Sequence, residues 1–319
     1  MVPFPTHATE ISILMTRYNS LAICRKQLGD VLLLQPALEK LAGDGPVALA
    51  TRLEFADLLA LMPGPVKQAP RWFPRTRQVF CLEPRTRALA YAAMCFGARR
   101  TLLLTKNEAP WWQSWIFDEQ RIFPGGNAYR AEFYFLLLGG RPDEFRPPRL
   151  AAPPGDWQIA GLPVDYAVIH PTSAWRRKTW EPGRWVEALR GLGGNLHWIV
   201  SGGPSDWEVE LARKVATGLG ERAINLAGKT NLRQYLALLA GARLTLCIDG
   251  SASHLSAAFG KPTLTLFGPT NPAHWHWQSP RTPRLWAADF TGESKPKVDA
   301  IPVRAVSEAT RRLLELAHA

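Results

Sequence analysis

At 319 residues, with 46% hydrophobic and 20% charged residues, the chain is long enough for two domains of ordinary size, each with its own core. That composition excludes a disordered chain, and no apolar run reaches the ~18 residues that cross a bilayer. The formal net charge of +11 directs attention to anionic partners: nucleic acid, a phosphorylated substrate or a membrane surface.

The opening MVPFPTHATEISILMTRYNS lacks the basic start and long apolar centre of a secretory signal, so a cytoplasmic protein is expected. Cys24, Cys81, Cys95 and Cys247 show no CxxC spacing, which argues against a zinc site or disulfides and fits a reducing compartment. His274 and His276, in HWHW, have no third ligand nearby and read as loop residues.

Strands are expected at LAIC, PVALA, QVFCL and RTLLLT, alternating with helical patterns after Gly29-Asp30 and at LEFADLLALM, TRALAYAAMC and AYRAEFYFLLLGG. Asp30 follows Gly29 where a helix begins, so the plainer role is an N-cap. A second role is a carboxylate able to take a proton from a substrate hydroxyl. The turn holds one glycine, not G-x-G-x-x-G, which weakens a nicotinamide-dependent oxidoreductase.

Between Asp57 and Glu108 nine basic residues, among them Arg71, Arg75 and Arg77, stand against Glu83 alone. A segment so one-sided suggests an anionic partner, although a solvated face explains any single residue. No nucleic-acid-binding motif accompanies it. Close behind comes PWWQSWIF, whose Trp111, Trp112, Trp115 and Phe117 suit either a core or a membrane interface.

Gly139 to Trp157 carries five prolines and three glycines and reads as a linker. The expected division is residues 1–140, a Pro-rich linker 141–160, and residues 161–319. Strands then fall at YAVIH, LHWIV, RLTLCID and PTLTLF, and helices at GRWVEALRGL, DWEVELARKVATGL, NLRQYLALLAG and SASHLSAAFG. An amphipathic helix, AVSEATRRLLELA, closes the chain and is free to return to the first domain.

Two turns leaving strands carry chemistry. After YAVIH come Thr172, Ser173 and Lys178, a sensible diphosphate cradle or simply a solvated basic loop. After RLTLCID come Asp249, Gly250 and Ser251, with Ser253 and His254 in the first turn of a short helix. Small residues there either let the helix pack close to the sheet or leave its backbone N–H groups open to an anion.

GDVLLLQPALEKL, HPTSAWRRKTWEPGRWVEAL, SGGPSDWEVELA and DGSASHLSAAFGKPTLTLFGPTNPAHW occur in that order. Together they resemble the lipopolysaccharide heptosyltransferases, glycosyltransferase family 9, from roughly Leu21 onward and most strongly in the second half. The resemblance implies an α/β GT-B fold, two Rossmann-like domains facing across a cleft. The second domain would bind ADP-heptose and the first the lipopolysaccharide inner-core acceptor, at the inner leaflet of the cytoplasmic membrane. Transfer would invert the anomeric centre, with no metal and no cofactor. Carried over by residue, Asp30 becomes the general base, and Thr172, Ser173 and Lys178 the diphosphate loop. Asp249 to His254 become the phosphate-binding helix start, and Glu208 the partner of the donor ribose. Arg71, Arg75 and Arg77 fall to the acceptor and membrane side.

There are departures. The family shows Asp-Thr-Gly or Asp-Ser-Gly where this chain has Asp249-Gly250-Ser251, which moves the hydroxyl by one residue. The loop before Lys178 is one residue longer than in some members. The competing readings are transfer to a protein or another glycan, a nucleotide-sugar-binding protein without catalysis, and the disfavoured oxidoreductase.

Overall fold

The computed structural model describes residues 17–70, 75–83, 85–104, 111–123 and 127–318. The chain divides into two compact units, Met1–Pro147 and Pro148–Ala319. The division falls between two adjacent prolines of the Pro-rich stretch.

Among the described residues the first unit holds six strands: β1 (Arg17–Ile23), β2 (Val47–Ala50), β3 (Val66–Gln68), β4 (Arg75–Cys81), β5 (Arg99–Leu104) and β6 (Glu119–Ile122). They form one sheet in the order β3-β2-β1-β4-β5-β6, every pairing parallel. Its helices are α1 (Leu28–Leu32), α2 (Gln35–Gly43), α3 (Ala56–Leu61), α4 (Thr86–Ala93) and α5 (Arg130–Leu137). The helical stretch after Gly29-Asp30 is thus two helices. Pro36 has no N–H to donate and its ring displaces the carbonyl four residues back, so it can only open the second. Central strands are covered on both faces, and all four residues of β2 are buried. Leu21, Ile23, Val79, Cys81, Leu102 and Leu104 meet Ala88, Leu89 and Ala92 of α4 in the core.

The second unit repeats the plan with β7 (Tyr166–His170), β8 (His197–Val200), β9 (Ala223–Asn225), β10 (Thr245–Ile248), β11 (Thr263–Phe267) and β12 (Arg284–Trp286). The order is β12-β11-β10-β7-β8-β9, again all parallel. Helices α6 (Pro182–Leu189), α7 (Asp206–Leu219), α8 (Leu232–Gly241), α9 (Ser251–Ala258), α10 (Pro272–Trp275), α11 (Ala288–Thr291) and α12 (Val303–His318) accompany it. Trp180, Trp185 and Trp198 are fully buried, the first two edge to face at 5.2 Å. The closing helix α12 adds Val306, Leu313 and Leu314 to this same core.

Four strands were not expected from sequence: β3, β6, β9 and β12. All are three or four residues long, lie outside the central strands, and are half-buried or exposed. None carries the apolar run that marks a covered parallel strand. In each sheet the strand order reverses at one point, between β1 and β4 and between β7 and β10. Ligands of such sheets sit beyond the carboxyl ends of those strands. Among the described residues no helix is long and apolar enough to cross a membrane.

Candidate active site

At the reversal point of the second sheet, the turns leaving β7 and β10 run side by side. Lys178 Nζ forms an ion pair with Asp249 Oδ2, the side chains only 15% and 6% exposed. The ammonium also lies 4.9 Å from the centre of the Trp175 ring. Two residues read separately from sequence are therefore one unit. Asp249 holds Lys178 at the strand ends, and the pair as a whole carries no net charge.

Gly250 precedes α9 with φ of −177°, extended backbone that any residue adopts. A Cβ there would meet nothing nearer than Ser173 Cβ, at 3.7 Å. The protein's own packing does not require glycine at this position. Packing does explain the opposite face. Ala252 and Ser256 are fully buried, and Ser256 Oγ lies 2.8 Å from Thr245 Oγ1 and 2.9 Å from Thr263 Oγ1. On that face the small residues serve the packing of the helix against the sheet.

Not every hydroxyl of the expected cradle faces outward. Ser253 Oγ donates to the Gly250 carbonyl at 2.8 Å, leaving its backbone N–H as the group available at the helix start. Thr172 is buried, its Oγ1 without a hydrogen-bond partner and facing Gly202. Ser173 is half-buried and exchanges hydrogen bonds of 3.2 Å with the backbone of Trp175. Ser251, at the first position of α9, is half-buried. His254 is near enough to His276 to act on its charge, and burial chiefly pulls His276 down to about 4. His276 Nε2 lies 2.8 Å from the Thr282 carbonyl, so this histidine is tied within its loop.

Glu208 stands at the third position of α7. Its carboxylate accepts from Ser205 Oγ at 2.6 Å and from the Gly203 N–H at 3.3 Å. A Cβ on Gly203 would lie 2.4 Å from Glu208 Oε2, so glycine there makes room for the carboxylate. A carboxylate has about four acceptor sites, so these two bonds leave capacity for a ligand hydroxyl.

In the first unit Asp30 is the third residue of α1, and Gln27 occupies the N-cap. The expected capping role is therefore replaced by a place in the first turn. The side chain is half-buried and accepts no hydrogen bond among the described residues. Lys26, Tyr134 and Cys24 are its electrostatic neighbours. Burial pulls the Lys26 ammonium down, but Tyr134, Cys24 and Asp30 outweigh it, and the proton is held above the ordinary lysine value. Across the reversal point, buried Glu83 accepts the Arg25 N–H at 2.9 Å and fixes the turn that ends in Asp30. Lys26 and Glu83 were not singled out from sequence. Their signal was position alone, each within a few residues of a strand end.

Arg75 and Arg77 are exposed at the start of β4. About 3.3 Å per residue places Arg75 roughly 20 Å from the strand's carboxyl end, so these arginines are remote from Asp30. Arg71 and the side chain of Trp111 lie outside the described residues. Of the remaining aromatics Phe117 is buried, while Trp112 and Trp115 are 40% and 79% exposed. All four cysteines are buried and free, and burial pushes Cys24, Cys81 and Cys247 up to about 12, away from nucleophilic chemistry.

Residues 152–300 match the model of glycosyltransferase family 9 (heptosyltransferase). Over 177 residues the chain is 26% identical to lipopolysaccharide heptosyltransferase 3 of Escherichia coli, covering 52% of each. The chain spans about half the length of the curated relatives it matches. The solved structure of the glycosyl transferase family 9 protein from Veillonella parvula DSM 2008 superposes with a TM-score of 0.77 at 16% identity, over 94% of this chain and 98% of that one. For E. coli ADP-heptose LPS heptosyltransferase II the TM-score is 0.75 at 16% identity, over 94% and 100%. At such identity the likeness is one of fold, and it is the α/β GT-B fold implied by the four motifs. The match to the family model begins only at residue 152, whereas the likeness in architecture extends through the first unit. The sequence likeness to glycosyltransferase family 9, the heptosyltransferase family, thus lies in residues 152–300.

Proposed function

We propose that the protein is an inverting glycosyltransferase that moves a heptose from ADP-heptose to a hydroxyl of the lipopolysaccharide inner core, without a metal or other cofactor. The observation that carries this is the meeting of Lys178, Asp249 and the start of α9 at the reversal point of the domain that matches the family. A solved structure of the same fold is described as an ADP-heptose LPS heptosyltransferase.

In this reading the donor diphosphate lies against Lys178 and the backbone N–H groups from Ser251 to Ser253. A partly buried ammonium and oriented amides stabilise charge more strongly than bulk water does, and they do so where charge develops on the leaving diphosphate. Asp30 takes the proton of the attacking hydroxyl as its oxygen bonds to the anomeric carbon. The bond from that carbon to the phosphate oxygen breaks on the opposite face, and ADP leaves. Glu208 holds the ribose with the acceptor capacity that its bonds to Ser205 and Gly203 leave over. The protein works in the cytoplasm, on the inner leaflet, through the exposed arginines and tryptophans of its first unit.

Incubating the purified protein with ADP-heptose and heptose-deficient inner-core lipopolysaccharide, with EDTA present, tests the reading. The expected result is an acceptor heavier by one heptose and one equivalent of ADP. Release of ADP without acceptor modification, or strict dependence on a divalent ion, overturns it.

A further inference from the structure

The candidate site uses the turns leaving β7, β8 and β10 but not the one leaving β11. In the sheet these four strands are contiguous, in the order β11-β10-β7-β8, so their exits follow one another along one edge. Glu208 stands beyond β8, Lys178 beyond β7 and the start of α9 beyond β10. A donor whose ribose meets Glu208 and whose diphosphate meets Lys178 and α9 lies along this edge in one direction. Its sugar then falls at the exit of β11. Neighbouring strands are about 4.8 Å apart, so β8 to β11 spans roughly 14 Å, the scale of a ribose, two phosphates and a sugar ring in line.

The exit of β11 is built around His276. In the parallel register Ile248 faces Leu266, and the Asp249 N–H donates to the Leu266 carbonyl at 3.0 Å, so Phe267 comes beside Asp249. The His276 ring meets the Phe267 ring edge to face, with 5.6 Å between centres. Its Nε2 is 2.8 Å from the Thr282 carbonyl, which can only accept, so Nε2 carries the proton. Burial chiefly pulls this histidine down to about 4, so near neutral pH it holds that one proton and Nδ1 is an acceptor. Thr282 is itself buried, with Oγ1 donating to the Trp277 carbonyl at 2.7 Å and lying 2.8 Å from Ser279 Oγ. The loop therefore sets both the tautomer and the place of the ring. A neutral, half-buried ring nitrogen can accept from a sugar hydroxyl with no charge to desolvate.

We propose that His276 is a specificity-determining residue that accepts a hydrogen bond, through Nδ1, from a hydroxyl of the donor's sugar. This rests on reading the carboxyl edge of the second sheet as the ADP-heptose site.

The test compares ADP-heptose with ADP by calorimetry on the purified protein, without acceptor. His276→Gln carries its amide nitrogen near the Nε2 position, so the bond to Thr282 is kept and the Nδ1 acceptor is lost. It should weaken ADP-heptose about five- to tenfold, one hydrogen bond's worth, and leave ADP as before. His276→Asn does the reverse, keeping an acceptor near the Nδ1 position and giving up the bond to Thr282. Its melting temperature should fall while its preference for ADP-heptose over ADP holds. Unchanged ADP-heptose affinity in His276→Gln, or equal losses for ADP and ADP-heptose, overturns the role and leaves the donor site standing. A preference lost in step with melting temperature in both variants makes His276 a structural residue only and overturns the role as well. Failure of the wild-type protein to bind either ligand overturns the donor site itself, and the proposal with it.

Discussion

Lys178 and Asp249 come from turns after different strands, yet they form one ion pair at the carboxyl end of the second sheet. The pairing changes what each does. A lysine alone would be a mobile charge; held by Asp249 and laid over Trp175, it is fixed in place. Lys178→Ala should weaken ADP binding about tenfold to a hundredfold, the range of a hydrogen bond to a charged group, and leave adenosine unaffected. Calorimetry with both ligands checks this. Equal losses for ADP and adenosine would mean a collapsed site instead.

Asp249→Asn should cost stability as well as affinity. It strands a lysine that is only 15% exposed, and removing one partner of a buried pair typically costs about 3–5 kcal/mol. Partial exposure puts the expectation at the lower end. Chemical denaturation would measure it, and a neutral result would show that Lys178 finds water or another partner.

Asp30→Asn should lower kcat by roughly 10²–10⁴. Donor affinity and melting temperature should hold, because the carboxylate accepts no hydrogen bond among the described residues. Glu83→Ala is the companion experiment. Loss of its bond to the Arg25 N–H loosens the turn that carries Asp30, so kcat falls, while Glu83→Gln keeps an acceptor and retains most of it. Wild-type turnover in Asp30→Asn would take this carboxylate out of the chemistry.

The four central strands of each sheet were legible because a parallel strand covered on both faces is an uninterrupted apolar run, as in VALA and YAVIH. The outer strands were not, because Glu119–Ile122 or Arg284–Trp286 has no such run to show. In the site, residues at strand exits were found by position, but sequence could not say which way a hydroxyl turns. Ser253 and Thr172 look like ligands in a string of letters and are turned inward in the fold. Tyr235 looks like one more apolar residue of an amphipathic helix and packs its ring on His170 at the end of β7. Contacts between elements distant in sequence leave no local signal.

Stability should fall as pH drops from about 6.5 to about 4. His170 ordinarily titrates near 6.5 and burial lowers it to about 4 in the fold. In that window the unfolded chain binds a proton that the folded chain refuses, so acid favours unfolding; above 6.5 both states are neutral and the effect vanishes. The shift corresponds to on the order of 3 kcal/mol by pH 4. His170→Gln should flatten this slope in denaturation curves taken at pH 7, 5.5 and 4.5. A slope unchanged by the substitution would assign the acid sensitivity elsewhere, His276 first.

The exposed arginines of the first unit should govern membrane attachment and not acceptor chemistry. Arg75 and Arg77 stand at the start of β4, and exposed Arg99 starts the neighbouring β5. The Arg100 side chain donates to the Ile116 carbonyl at 3.2 Å, which ties the chain just after exposed Trp115 to the same end of the sheet. Basic and aromatic groups thus share the edge opposite Asp30, a combination that suits anionic headgroups. Each basic group near such a surface contributes about 1 kcal/mol, so Arg75→Glu with Arg77→Glu should weaken binding to anionic vesicles by at least roughly thirtyfold at low salt. Trp115→Ala should weaken it further, and added salt should abolish it. KM for a detergent-solubilised acceptor should be unchanged in the double reversal, because Asp30 lies at the other end of the sheet. Sedimentation with vesicles and kinetics on solubilised acceptor separate the two effects. A raised KM with intact vesicle binding would return these arginines to the acceptor, and binding indifferent to salt and to both substitutions would leave them a solvated edge.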